Sequence, residues 1–128
     1  MKSLLITIAL LEGLTGLALA SVPSFVVSAL LGSALTDASG LLLGRLAGAV
    51  LMGIAMACWL LRQDPAGGPI MVKIMAGYNL FAILLLAYAA VFERLNGFGL
   101  WPTVLLHLGL FAWCVTSLIK QSKLRTGY

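Results

Sequence analysis

Residues 40–61, GLLLGRLAGAVLMGIAMACWLL, form an apolar run broken only by Arg45. About 20 such residues cross the ~30 Å hydrocarbon layer of a bilayer as a helix. In lipid the backbone polar groups of a lone segment must bond within that segment, which leaves the helix as its conformation. Gly40, Gly44 and Gly48 recur at every fourth position of this run and so share one helical face. Small residues at that spacing let a neighbouring backbone come close. Three further runs are long enough to span, at about 3–22, 70–92 and 100–119. A shorter one, SFVVSALLGSAL at 24–35, is not. The predicted fold is an all-α membrane protein. It is a four-transmembrane-helix bundle with a short interfacial or re-entrant helix between spans 1 and 2, forming one domain over residues 1–128.

Composition supports this reading. The 128 residues are 62% hydrophobic and only 9% charged, against about a quarter charged in a soluble domain. The net charge of +4 does not point to nucleic acid, because the basic residues are scattered and flank the apolar runs. Such residues mark the cytoplasmic face of a membrane protein. With four spans, one side holds Lys2, Arg62, Lys73, Lys120, Lys123 and Arg125, and the other holds Arg94. Both termini are therefore expected in the cytoplasm. Cys58 and Cys114 lie within apolar runs and read as buried small hydrophobes rather than a disulfide pair.

The connections follow from turn chemistry. Lys2, the first apolar run and Ala18-Leu19-Ala20 also fit a signal peptide, but Glu12 interrupts that pattern, and the first run is read as a span. Pro23 breaks the chain after it. Ser24, Ser28, Gly32 and Thr36 give the short helix a small, weakly polar face. Asp37 or Ser39 is placed to cap the second span. RQDPAGGP (62–69) and ERLNGFG (93–99) are the next turns, and Trp101-Pro102 opens the fourth span. KQSKLRTGY is read as a frayed basic tail. Met52, Met56, Cys58 and Trp59 read as filling, and Phe81, Tyr88, Phe92, Phe98, Trp101, Phe111 and Trp113 as lipid-facing residues.

Ionisable residues inside a membrane are costly and point to function by default. Here they are Glu12, Arg45 and His107. At 1.5 Å per residue, Arg45 lies about 7–8 Å, His107 about 10 Å and Glu12 about 15 Å from the same side. The long Arg45 side chain bridges much of that difference, and Tyr78 and Asn79 lie at mid-depth in the third span. Three readings stay open. Glu12 and Arg45 form an ion pair that locks two helices, with His107 a satisfied core residue. Alternatively, Arg45 extends to the headgroups. In the third reading Glu12, Arg45, Tyr78, Asn79 and His107 line a polar pocket for a ligand, a proton or a lipid headgroup. Gly40, Gly44 and Gly48 are packing residues, inside the monomer or between copies.

Four spans, this length and Leu10-Leu11-Glu12-Gly13 in the first span resemble the small multidrug resistance transporters. That resemblance implies a first-span glutamate that exchanges protons for a cationic drug. Arg45 departs from the pattern, and the third span has Tyr78 but no tryptophan. Gly44-Arg45-Leu46-Ala47-Gly48, with Tyr78-Asn79 and His107, is more similar to the small four-helix bacterial inner-membrane proteins, loosely DoxX-like, of no settled function. That resemblance implies an inner-membrane location.

No phosphate loop, nucleophile elbow or metal-ligand spacing is present, and no metal or cofactor is expected. The function expected is a non-enzymatic accessory or scaffold subunit, or a self-associating bundle, whose pocket takes a lipid, a quinone or another small ligand. Its partners are the lipid bilayer and a second copy or a larger membrane complex. A proton-coupled small-molecule transporter using Glu12 is the first alternative. A lipid- or quinone-modifying enzyme using His107 with Glu12 and Arg45 is the second.

Overall fold

The computed structural model describes residues 1–126. Among them are five helices and no strand: α1 (Lys2–Ser21), α2 (Pro23–Leu31), α3 (Ala38–Leu61), α4 (Gly67–Val91) and α5 (Leu100–Thr126). All but α2 are long and apolar enough to cross a membrane. The protein is an all-α membrane protein built as a four-helix bundle. Met1 lies beside Thr116 and Lys120 of α5, so both ends of the described chain share one end of the bundle. The α2 helix lies at the other.

Helices α1 and α3 make one tight antiparallel pair, and α4 and α5 make a second. The α1–α3 contact is a meeting of backbones. A Cβ added to Gly48 would fall 2.6 Å from the Gly16 carbonyl oxygen and 2.6 Å from the Ala20 nitrogen. One added to Gly16 would fall 2.7 Å from the Gly48 oxygen, and one on Gly44 would fall 2.8 Å from Pro23 Cβ. The glycine face of α3 is thus spent inside the monomer. Gly40 stands apart from it, over the Asp37 carboxylate and Leu35.

The two pairs meet in an apolar core at the terminal end. Leu4, Leu5, Ile8 and Ala9 of α1 pack there with Cys58, with Met71, Val72 and Met75 of α4, and with Leu110 and Cys114 of α5. Both cysteines are free and fully buried. Met56 and Trp59 are exposed on the bundle surface rather than filling the core, because the face of α3 that carries Gly44, Gly48, Ala55 and Cys58 is the one turned inward. Phe81, Tyr88, Phe92, Phe98, Trp101 and Trp113 are exposed, as expected of residues facing lipid.

The boundaries differ from expectation where local caps prevail. Pro23 ends α1 and also opens α2, at the first helical position where it needs no N–H partner. Gly32 stops α2 in the left-handed region (φ 77), four residues short of the apolar pattern. Asp37 caps α3 by accepting a bond from Gly40 N–H at 2.8 Å, so this helix starts at Ala38. Asp64 Oδ1 accepts from the N–H groups of Ala66 and Gly67, both at 2.8 Å. The Gly67 bond, and then the Ala66 bond, hold the Asp64 carboxyl below the usual range. Helix α4 therefore begins at Gly67, within the segment expected to be turn. Arg62 closes α3 by bonding the Trp59 carbonyl, with its guanidinium 3.9 Å from the centre of the Trp59 ring. The basic tail is helical as far as Thr126. Gly127 and Tyr128, also read as frayed, lie outside the described residues.

The backbone contact between α1 and α3 predicts opposite results for two similar substitutions. Gly48→Ala should cost about 1–3 kcal/mol, as overpacking does. Gly53→Ala, in open space on the same helix, should be neutral. Thermal unfolding of the two variants in detergent checks this.

Candidate functional site

The stripes that build the core at the terminal end continue into a cleft toward α2. On α1, Leu5, Ile8 and Glu12 follow at steps of three and four. On α4, Met71 and Met75 lead to Tyr78, Asn79 and Ala82, and on α5 Leu110 lies one turn from His107. Side chains at these steps share a face, so the fold turns the polar residues inward as it buries the leucines. The polar residues come at the level where the core ends.

Glu12 is 5% exposed and Asn79 is 0% exposed. Tyr78 Oη donates to Glu12 Oε2 at 3.1 Å. Asn79 Nδ2 donates to the Met75 carbonyl at 2.7 Å, one turn back on its own helix. Asn79 Oδ1 lies 2.8 Å from His107 Nδ1. The Tyr78 and His107 rings meet edge to face, with centroids 5.8 Å apart. A polar belt therefore joins α1, α4 and α5. No buried side-chain nitrogen or oxygen among the described residues lacks a partner, as a low-dielectric interior requires.

The hydrogen bonds also assign the proton on the imidazole. The Asn79 amide nitrogen is committed to Met75, so its oxygen faces His107 and accepts. Nδ1 of a neutral His107 therefore carries the proton, and Nε2 keeps its lone pair.

Above the belt lies a cleft of about 510 Å³. Its floor is Glu12, Tyr78 and His107, and α2 forms its roof through Val26, Ala29 and Leu30. The roof is fastened by backbone bonds. Gly99 N–H donates to the Ala29 carbonyl at 2.9 Å, and Asn96 N–H donates to that of Leu31 at 3.2 Å. Gly97 is required there, because an added Cβ would sit 2.4 Å from the Leu30 carbonyl. Phe25 and Leu85 line the cleft yet are 71% and 69% exposed, so it opens on the flank of the bundle.

Four of the five expected site residues come together: Glu12, Tyr78, Asn79 and His107. Arg45 does not join them. Gly48 faces α1 and Gly44 faces Pro23 at the start of α2, and Arg45, about 100° further round the helix from Gly44, points outward and is exposed. The Glu12–Arg45 pair, one of the three readings left open by the sequence, is absent, and Tyr78 partners the carboxylate instead. Thr15 and Thr103, which also line the cleft, escaped the sequence reading. Their spacing of three from Glu12 and four from His107 is the signal that places them on the same faces. The described residues include no group of three or more His, Cys, Asp or Glu side chains able to hold a metal.

A family model described as a domain of unknown function, DUF8292, matches residues 6–126. The chain belongs to the DUF8292 family. The match takes in α2, α3, α4 and α5 whole and α1 from Ile6 onward, so the cleft and its polar floor lie inside the family's domain. No curated protein and no solved structure matches the chain.

The assigned tautomer is measurable. Nitrogen-15 spectra of His107 should show a protonated Nδ1 and an unprotonated Nε2 in wild type at alkaline pH. Asn79→Leu should shift the population toward the Nε2–H form that dominates free imidazoles.

Proposed function

We propose that this chain is an integral inner-membrane protein, with both ends in the cytoplasm, that binds a small amphipathic molecule without chemically altering it. The observation that carries the proposal is the cleft: about 510 Å³, within membrane-crossing helices, with mostly apolar walls, two threonines, and its ionisable groups at the floor. Sites for small molecules have that character, with a largely apolar lining and a few placed polar groups that orient the ligand. The flank at Phe25 and Leu85 gives access from the acyl chains. A molecule dissolved in the bilayer reaches the floor without crossing water.

In the cell such a protein serves as an accessory or scaffold subunit, either self-associated or within a larger membrane complex. The exposed apolar surface of α3, which includes Leu42, Leu43, Leu46 and Leu60, is open to lipid or to a partner.

A second reading, proton-coupled transport of a small molecule through Glu12, gains support from the position of Arg45. Among the described residues no cation neutralises Glu12, so its carboxyl group is free to exchange a proton for a ligand. Transport that survives Glu12→Gln unchanged would exclude this reading.

Native mass spectrometry of the protein in nanodiscs cut from its own membrane tests the binding proposal. Wild type should carry a small molecule beyond the 13.5 kDa of the chain. Ala82→Trp, which places an indole in the cleft, should lose it. A bare chain in both samples would contradict the proposal.

A further inference from the structure

We infer that the cleft selects a primary ammonium group on a compact apolar body. The inference rests on the binding role proposed above and names the class of ligand.

It follows from which hydrogen-bonding groups are already committed. The Tyr78 hydroxyl spends its proton on Glu12 Oε2. The Nδ1 proton of His107 is spent on Asn79 Oδ1, and the Asn79 amide is spent on Met75. With the Glu12 carboxyl ionised, the fixed groups left for a ligand are acceptors: Glu12 Oε1 and His107 Nε2. Neither forms a hydrogen bond among the described residues, yet neither counts as a buried atom without a partner, so both keep accessible surface, and both residues line the cleft. Glu12 bonds Tyr78 and the His107 ring meets the Tyr78 ring edge to face, so both acceptor residues neighbour Tyr78 at the floor of the cleft. The hydroxyls of Thr15 and Thr103 can turn either way and adapt to what the fixed groups select.

No lysine or arginine lines the cleft, and Arg45 lies outside it. An acceptor-only headgroup such as a quinone finds no fixed donor there while Glu12 is ionised. An anion meets a carboxylate with no cation beside it. A primary ammonium carries three donors and the opposite charge, so it satisfies Oε1 and Nε2 together. Methylating its nitrogen keeps the charge but removes every donor. That separates this site from one that merely collects lipophilic cations.

A matched set of probes tests the inference in nanodiscs by titration calorimetry at alkaline pH: 1-adamantylamine, its N,N,N-trimethyl derivative, 1-adamantanol and adamantane-1-carboxylate. The amine should bind saturably and at least tenfold tighter than each of the others. A charge-assisted hydrogen bond is worth about ten- to a hundredfold in affinity, so Glu12→Gln should weaken the amine by about that factor. His107→Phe should also weaken it, and it serves as the second variant should Glu12→Gln fail to fold. Equal affinity for the trimethyl derivative, tighter binding of the alcohol or carboxylate, or full amine affinity in Glu12→Gln would overturn the inference. If one of those other probes binds and Ala82→Trp abolishes it, the binding role survives and only the ligand class falls. If no probe binds saturably, both fall.

Discussion

A leucine side chain gains nothing by leaving lipid for another leucine. Helices in a bilayer therefore associate where backbones come close or where polar groups meet. This protein uses each device in a different place. The Gly16–Gly48 approach binds α1 to α3 with no room for a Cβ on either side. The bonds Glu12–Tyr78 and Asn79–His107 tie α1 to α4 and α4 to α5. Without the first, α1 has no fixed rotation. Without that rotation, the carboxylate of Glu12 has no fixed direction.

The division of labour explains why the bundle is closed at one end and hollow at the other. At the terminal end, Leu4, Leu5 and Ile8 are long enough to fill the space between the two helix pairs. Above Glu12 the inward positions of α1 are Thr15 and Leu19, and the pairs no longer meet. The space between them is roofed by α2 instead. That helix is short and has few contacts of its own, and its carbonyls are held by the N–H groups of the 96–99 turn. The roof is thus fastened to the α4–α5 pair through its own C-terminus, while Pro23 packs at Gly44 of α3. A single nine-residue helix spans both pairs.

The long-range order of the chain was legible in the residues themselves. Apolar length gave the four spanning helices, Pro23 marked the start of the short one but its end at Gly32 was not legible, and Asp37 was one of two candidate caps for α3. The polar positions Glu12, Tyr78, Asn79 and His107 were legible because a polar group in an apolar run has few explanations. Their partnership was not. Depth alone made Arg45 the natural mate of Glu12, and depth says nothing about rotation. The rotation of α3 follows from Gly44 and Gly48, and which helix those glycines face is a tertiary fact. On α1 a matching small face exists in Gly13, Gly16 and Ala20. Pairing that face with the α3 glycines turns Arg45 outward on helical geometry alone. The cleft itself had no sequence signature, because it is a gap between two pairs whose separation depends on every side chain below it.

The polar floor depends on the partner of Glu12. Solid-state NMR of the protein in bilayers, with carbon-13 in the side-chain carboxyl of glutamate, the Cζ of tyrosine and the Cζ of arginine, measures it directly. The Glu12 carboxyl carbon should show a strong through-space contact to Tyr78 Cζ that vanishes in Tyr78→Phe, and none to Arg45. A contact to Arg45 Cζ instead would mean that α3 is rotated and the carboxylate is neutralised. The polar floor would then be a helix lock, with no open acceptor for a ligand.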